Sequence, residues 1–321
     1  MDRRTFLTTS ASLALGACAH AAAPLHEITV DWAYYSPLSM VLRQKGWLEE
    51  AFRPDGVKVN WVLSLGSNKA LEFLSSAGSD FGSSAGAAAL LSRANGNAIK
   101  LVYVSGKPEW TALVVGPQST LADVAGLRGK KIAATKGTDP YIFLLRLLHD
   151  AGMSKADADI VHLQHPDGRA ALERGDVDAW AGLDPHMASS EIEHGSRLAV
   201  RRPEYNTYSV LNVREAFLRD HPEAARRVVE QYERARRWAL GNRDALLAIV
   251  STEAKIPRAV AERVVLQRYG FEESVPGAAH EKALLGAAGV LAAEGLFKPG
   301  VDATKAVADL LDPSLARALG T

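Results

Sequence analysis

The chain has 321 residues with 47% hydrophobic content, enough for one large core or two modest ones. Its 37 basic and 37 acidic residues cancel, which argues against a nucleic-acid partner, because such a partner needs a basic face. No long apolar run follows the N-terminus, so no internal membrane span is expected.

Residues 1–23 read as an export signal. Arg3 and Arg4 form the positive end, and Phe6 to Ala17 form an apolar run too short to cross a bilayer. The RRTFL string resembles a twin-arginine signal. LGAC fits a lipoprotein box with Cys18 as the lipidated residue, whereas Ala19-His20-Ala21 fits a cut that releases a soluble periplasmic protein. Cys18 is the only cysteine, so the body forms no internal disulfide and holds no thiolate nucleophile.

From residue 27 the chain alternates short apolar runs with helical stretches. Ile28 to Trp32 is the first strand, and Ser36 and Pro37 open a helix behind it. Val57 to Val62 is the second strand, followed by a helix from Ser67. Asp80 to Gly82 is a third strand, and Gly82-Ser83-Ser84-Ala85-Gly86 is the turn into the next helix. Ile99 to Ser105 completes a βαβαβαβ unit whose strands end on one edge. Thr111 to Val115 crosses over, and the pattern restarts with Lys131 to Ala134, a polar turn at Thr135 to Gly137, and a helix capped by Asp139 with Pro140 at its first position. Asp159 to Leu163 and Asp178 to Ala181 are further strands. The second is followed by Asp184-Pro185, another helix start. Tyr205 to Val213 crosses back, and the remainder is helical, with Pro222 to Leu240 the longest stretch.

This order gives an α/β protein of two lobes. Residues 24–113 and 209–321 form the first lobe and 114–208 the second, joined by a two-strand hinge that lets them close on a ligand. A single doubly wound domain is the alternative. Strand-to-helix turns at a sheet's carboxyl edge expose backbone N–H groups that hold small anions. Ser67, Asn68, Ser83, Ser84 and Ala85 supply such turns on one lobe, and Thr135, Gly137 and Thr138 on the other. Ser84 also fits a plain helix cap. Tyr34, Tyr35, Trp110 and Tyr141 stand near strand ends and wall the ligand or pack the core. Glu109, Asp139 and Asp184 are the carboxylates placed to meet a ligand amine.

No complete catalytic set is evident. The histidines at 149, 162, 165, 186, 194, 221 and 280 show no HExxH or paired metal spacing, and a surface or core role is expected for His162 and His165. Gly82-Ser83-Ser84-Ala85-Gly86 spells GxSxG, but Ser84 lacks a base partner, and GxxxxGK[ST] and GxGxxG are absent. No metal or cofactor is expected.

LADVAGLRGKKIAATKGTDPYIFL, ALERGDVDAWAGLDP and SSAGSDFGSSAGAAALL, together with the leader, resemble the periplasmic substrate-binding proteins of ABC importers, in particular the aliphatic sulfonate, taurine and nitrate group. The resemblance implies the type II two-lobed fold and a monomer without catalysis, which delivers its ligand to a membrane permease and its ATPase. It implies an oxyanion held at Ser67, Asn68, Ser83, Ser84, Ala85, Thr135, Gly137 and Thr138, with Ser36 and Asp184 at comparable helix starts. Where the sulfonate group often has an aromatic after Asp-Pro, this chain has His186 and Met187. Nitrate, bicarbonate or a pyrimidine compound remains an alternative ligand. An exported pyrimidine-synthase-like enzyme is the alternative of another class; convergence of Lys136 and His186 in the cleft would favour it.

Overall fold

The computed structural model describes residues 24–320; the leader and Cys18 lie outside the described residues. Among the described residues eleven strands form two sheets. In chain order they are β1 (Glu27–Trp32), β2 (Lys58–Leu63), β3 (Phe81–Ala85), β4 (Ile99–Pro108), β5 (Leu113–Val115), β6 (Lys131–Ala134), β7 (Asp159–His162), β8 (Ala179–Ala181), β9 (Arg197–Val200), β10 (Ser209–Arg214) and β11 (Tyr269–Gly270). The first sheet runs β11-β4-β10-β3-β1-β2 and the second β7-β6-β8-β5-β9. Leu113, expected at the end of the first lobe, is the first residue of β5.

The two sheets share one plan. β1 is parallel to β2 and β3, and β6 is parallel to β7 and β8. Each sheet then receives one antiparallel strand from the chain arriving out of the other lobe. β10 lies between β3 and β4, and β5 lies between β8 and β9. Residues 109–112 and 201–208 are therefore the two connections between the sheets. Local sequence suggests an unbroken parallel first sheet. The structure differs because β10 pairs with residues more than a hundred positions away.

Helices cover both faces of each sheet, and their ends follow elementary rules. Pro37–Lys45 starts on a proline and ends at Gly46, whose φ of 65° suits a residue without a Cβ. Ile28, Val30, Phe81, Leu211 and Val213 pack on one side of the first sheet against Val228, Val229 and Tyr232 of the helix Pro222–Gly241. Leu71, Leu74, Leu90 and Val210 form the layer on the other side. Leu144, Leu145 and Leu148 of Asp139–Asp150 cover the second sheet. Ile142 of that helix joins Ala87, Ala287 and Leu291, so the helix Ala278–Ala293 is buried against elements of both lobes. Each fully buried Leu or Ile contributes about 2 kcal/mol relative to exposure.

Candidate ligand site

The carboxyl edges of the two sheets face each other across a narrow seam. β2 leads through Ser64 to Gly66 and the helix Ser67–Ser75, and β6 leads through Thr135 to Thr138 and the helix Asp139–Asp150. These turns touch: a Cβ added at Gly137 would lie 3.5 Å from Asn68 Cβ. Gly137 itself has φ 78°, a left-handed turn that glycine adopts without strain. The N–H groups of Ser67, Asn68, Gly137 and Thr138 meet no protein acceptor among the described residues. Four helix starts converge here, since Ser67–Ser75, Asp139–Asp150, His165–Arg174 and His186–His194 all begin at this edge. Together they present positive dipole ends to the gap.

Rings close the seam at one side. Tyr34 stands edge-on to His186 of the second lobe with centroids 4.8 Å apart, and Tyr35 stands edge-on to Trp110 at 6.0 Å. Tyr34 OH donates to Leu65 O, and Tyr35 OH donates to Ser83 O at 3.0 Å. The second bond roots Tyr35 in the first sheet. Tyr141 is buried too, but packs edge-on to His162 at 5.3 Å, on the second sheet rather than in the seam. Outside Tyr34 lies a groove of about 450 Å³ lined by Trp32, Leu63, Arg43 and Lys255.

Several expected site residues are otherwise engaged. Ser83, Ser84 and Ala85 are not a turn but the end of β3, because their backbone pairs with Leu211, Val210 and Ser209. Ser84 Oγ donates to Ala85 O and accepts from Asn212 Nδ2 at 2.8 Å, inside the sheet. The helix behind them, Gly86–Ala94, has its first donors taken: Gly86 N meets Thr207 O at 3.1 Å, and Ala87 N meets Thr207 Oγ1 at 2.9 Å. Ser67 Oγ accepts from Ala85 N at 3.0 Å, so one side chain ties the two turns of the first lobe together. Ser36 occupies the N-cap position of Pro37–Lys45 but makes no capping bond through its side chain. Thr135 Oγ1 donates to Leu163 O at 2.7 Å, and Thr138 Oγ1 donates to Thr135 O at 2.6 Å. Both hydroxyls stiffen their turn.

The carboxylates expected to meet a ligand amine serve the protein instead. Asp139 is the first residue of its helix, and Thr138 is the N-cap. Its side chain accepts from Trp110 Nε1 at 2.9 Å, Thr207 N at 3.1 Å and Thr207 Oγ1 at 2.6 Å, so it clamps both inter-sheet connections. Burial raises its pKa against these bonds and the more distant Arg146. Asp184 accepts from Ala188 N at 2.9 Å and pairs with Arg268 at 3.2 Å. Arg268 also holds Glu191 at 2.5 Å, linking the segment before β11 to the helix His186–His194. Burial pushes Asp184 up to about 6 and outweighs the pull of Arg268. Glu109 is held bidentately by Arg201 at 2.7 and 2.8 Å. Behind the seam, Asp31 is fully buried and accepts from Ser83 N at 2.7 Å. Burial pushes it up to about 7 despite the hydrogen bond from the Ser83 backbone.

Two histidines reach the seam: His165, for which spacing suggests a surface or core role, and His186, which follows Asp184-Pro185. His165 is completely buried, and its Nδ1 lies 3.2 Å from Thr135 Oγ1. Burial pushes His165 down to about 3 and His186 down to about 4, so both rings are neutral near pH 7. The signal that could have found them is their place: each is the first residue of the helix that follows a strand. Lys136 is exposed and makes no hydrogen bond to His186. Among the described residues no group of three or more His, Cys, Asp or Glu could hold a metal ion.

Two α/β lobes, two connecting segments and facing helix starts define the type II periplasmic-binding-protein fold. The chain belongs to the NMT1/THI5-like family, whose profile matches residues 38–245. A protein of Bacillus subtilis (strain 168) named for aliphatic sulfonate binding is 30% identical over 233 residues, covering 72% of this chain and 70% of that one. The alkanesulfonate-binding protein SsuA of Xanthomonas axonopodis pv. citri, solved with MOPS bound, superposes with a TM-score of 0.81 at 25% identity, over 91% of this chain and 99% of its own. The desulfurization enzyme DSZB shares the fold alone, with a TM-score of 0.64 at 17% identity over 92% of this chain and 99% of its own.

Proposed function

We propose that this chain is the substrate-binding component of an ABC importer, which captures an aliphatic sulfonate between its lobes and hands it to a membrane permease and its ATPase. The observation that carries this reading is the meeting of two helix starts from opposite lobes, at Ser67-Asn68 and Gly137-Thr138, with backbone donors that no group among the described residues takes. A sulfonate has three acceptor oxygens and one negative charge, which suits amide donors at helix ends without a paired cation. The related proteins named for sulfonate binding support this ligand class. The groove beside Tyr34, with Trp32 and Leu63 on its wall, suits an apolar body leaving the seam. Taurine is disfavoured, because Glu109, Asp139 and Asp184 are all committed to protein donors.

The ligand contacts both lobes, so it favours the closed form by its differential affinity. The protein performs no chemistry on its guest. The two neutral histidines at the seam are the feature an enzyme would share, but Lys136 does not join them. The export signal in residues 1–23 directs the protein to the periplasm. Thermal denaturation of the exported form tests the reading, with ethanesulfonate, hexanesulfonate, taurine, sulfate, nitrate and an aromatic sulfonate as probes. A ligand that binds only the folded state adds RT ln(1 + [L]/Kd) to folding stability, about 2.7 kcal/mol at a hundredfold excess over Kd, and so raises the transition temperature. Aliphatic sulfonates should raise it most. A rise with nitrate alone, or with aromatic compounds alone, would overturn the assignment.

A further inference from the structure

His165 carries more than a wall position. Its ring is wholly buried, at the first residue of His165–Arg174. The single hydroxyl hydrogen of Thr135 is directed at Leu163 O, so toward His165 the Thr135 oxygen can only accept. The neutral ring therefore carries its hydrogen on Nδ1, and Nε2 is left with a bare lone pair. Nε2 has no partner. It faces across the seam, since a Cβ built on Gly66 of the first lobe would lie 3.1 Å from it.

A second acceptor shares that spot. Asn68 Oδ1 is buried without a partner and would lie 2.7 Å from the same Cβ. No hydrogen bond joins Asn68 to His165 among the described residues, so turning the amide over does not satisfy the ring. Buried polar atoms in native proteins almost always have a partner, and a gap that lacks a protein donor is filled by water or by ligand. Protonation does not resolve the gap near pH 7, because burial and the neighbouring His186 hold the His165 imidazolium far below that range.

We propose that His165 Nε2 accepts a hydrogen bond from the bound guest, so the guest is an organic oxyanion that also carries an O–H or N–H donor, in the simplest case a hydroxyalkanesulfonate. This rests on the proposed function and narrows its substrate class. The oxyanion sits on the amide donors of Ser67-Asn68 and Gly137-Thr138, and the donor reaches the lone pair beside Gly66. A hydroxyl fits better than an ammonium, because the carboxylates nearest the connections are already paired. A site built to hydrogen-bond a ligand hydroxyl discriminates strongly against the analogue that lacks it.

Isothermal titration with three probes of one size tests this: ethanesulfonate, 2-hydroxyethanesulfonate and 2-aminoethanesulfonate. The expected result is that 2-hydroxyethanesulfonate binds at least about tenfold tighter than ethanesulfonate. His165→Phe should reduce that ratio to below about threefold, and His165→Gln, which restores an acceptor, should recover part of it. Tightest binding of the amino probe would support the donor and overturn the choice of a hydroxyl. Equal binding of all three probes to the unaltered protein would overturn this inference alone. So would a His165→Phe variant that folds and weakens every probe by the same factor. Failure of all three to bind would overturn the sulfonate reading as well.

Discussion

Gly66→Ala separates closure from folding. Gly66 has φ 170°, extended backbone that alanine adopts freely, so the substitution strains neither the turn nor the first lobe. Its new methyl would meet His165 Nε2 at 3.1 Å and Cδ2 at 3.2 Å, and both atoms belong to the opposite lobe. Asn68 Oδ1, at 2.7 Å, is the end of a side chain and can swing away. Once Asn68 has moved, the remaining clash, with His165, exists only when the seam is shut. Overpacking by one methyl costs about 1–3 kcal/mol, and each 1.4 kcal/mol is tenfold in affinity, so binding should weaken roughly 5- to 150-fold. Calorimetric titration with an aliphatic sulfonate reads the affinity. Small-angle scattering reads closure, which should require more ligand in the variant. Urea unfolding without ligand reads lobe stability, which should hold to within about 0.5 kcal/mol. Unchanged affinity in Gly66→Ala would refute the reasoning. So would a loss of several kcal/mol in ligand-free stability, because the methyl would then be disturbing a lobe rather than the seam.

Two further outcomes follow from buried charges. Arg268→Met leaves Asp184 buried without its cation and should cost about 3–5 kcal/mol in urea unfolding, part of which Asp184→Asn in the same chain should restore; a single variant within 1 kcal/mol of the parent would count against the bridge. Asp31 is protonated more readily in the folded chain, at about 7 against 3.8 for a free side chain, so its contribution is fully present below about pH 4 and is lost as pH rises through 7. The gap corresponds to roughly 4 kcal/mol, and stability measured from near pH 4 to near pH 8 should fall in the parent relative to Asp31→Asn by an amount of that order. Parallel profiles would show that Asp31 does not carry the shift.

The order of strands and helices was legible because it depends on neighbours in sequence. Lys131–Ala134 is a short apolar run, and the proline behind Asp139 opens the next helix, so local pattern suffices. Ser83 and Ser84 show where local pattern stops. Flanked by Gly82 and Gly86 they look like a turn, yet they extend β3, because β10 supplies hydrogen-bond partners from residues 209–213. The carboxylates show the same limit in the site. Asp139 and Asp184 stand where strand-to-helix turns place ligand groups, but the connecting segments bring Thr207, Trp110 and Arg268 to them. Sequence spacing misses His165 for the converse reason. A search for metal spacing asks whether histidines match one another in sequence, whereas this ring is defined by Thr135 and by Gly66 across the seam. Backbone donors at a strand-to-helix turn are guaranteed by the fold that makes the turn. What a side chain beside them does is decided by the facing lobe, and here that lobe takes the acids for its own support and leaves an imidazole lone pair open to the guest.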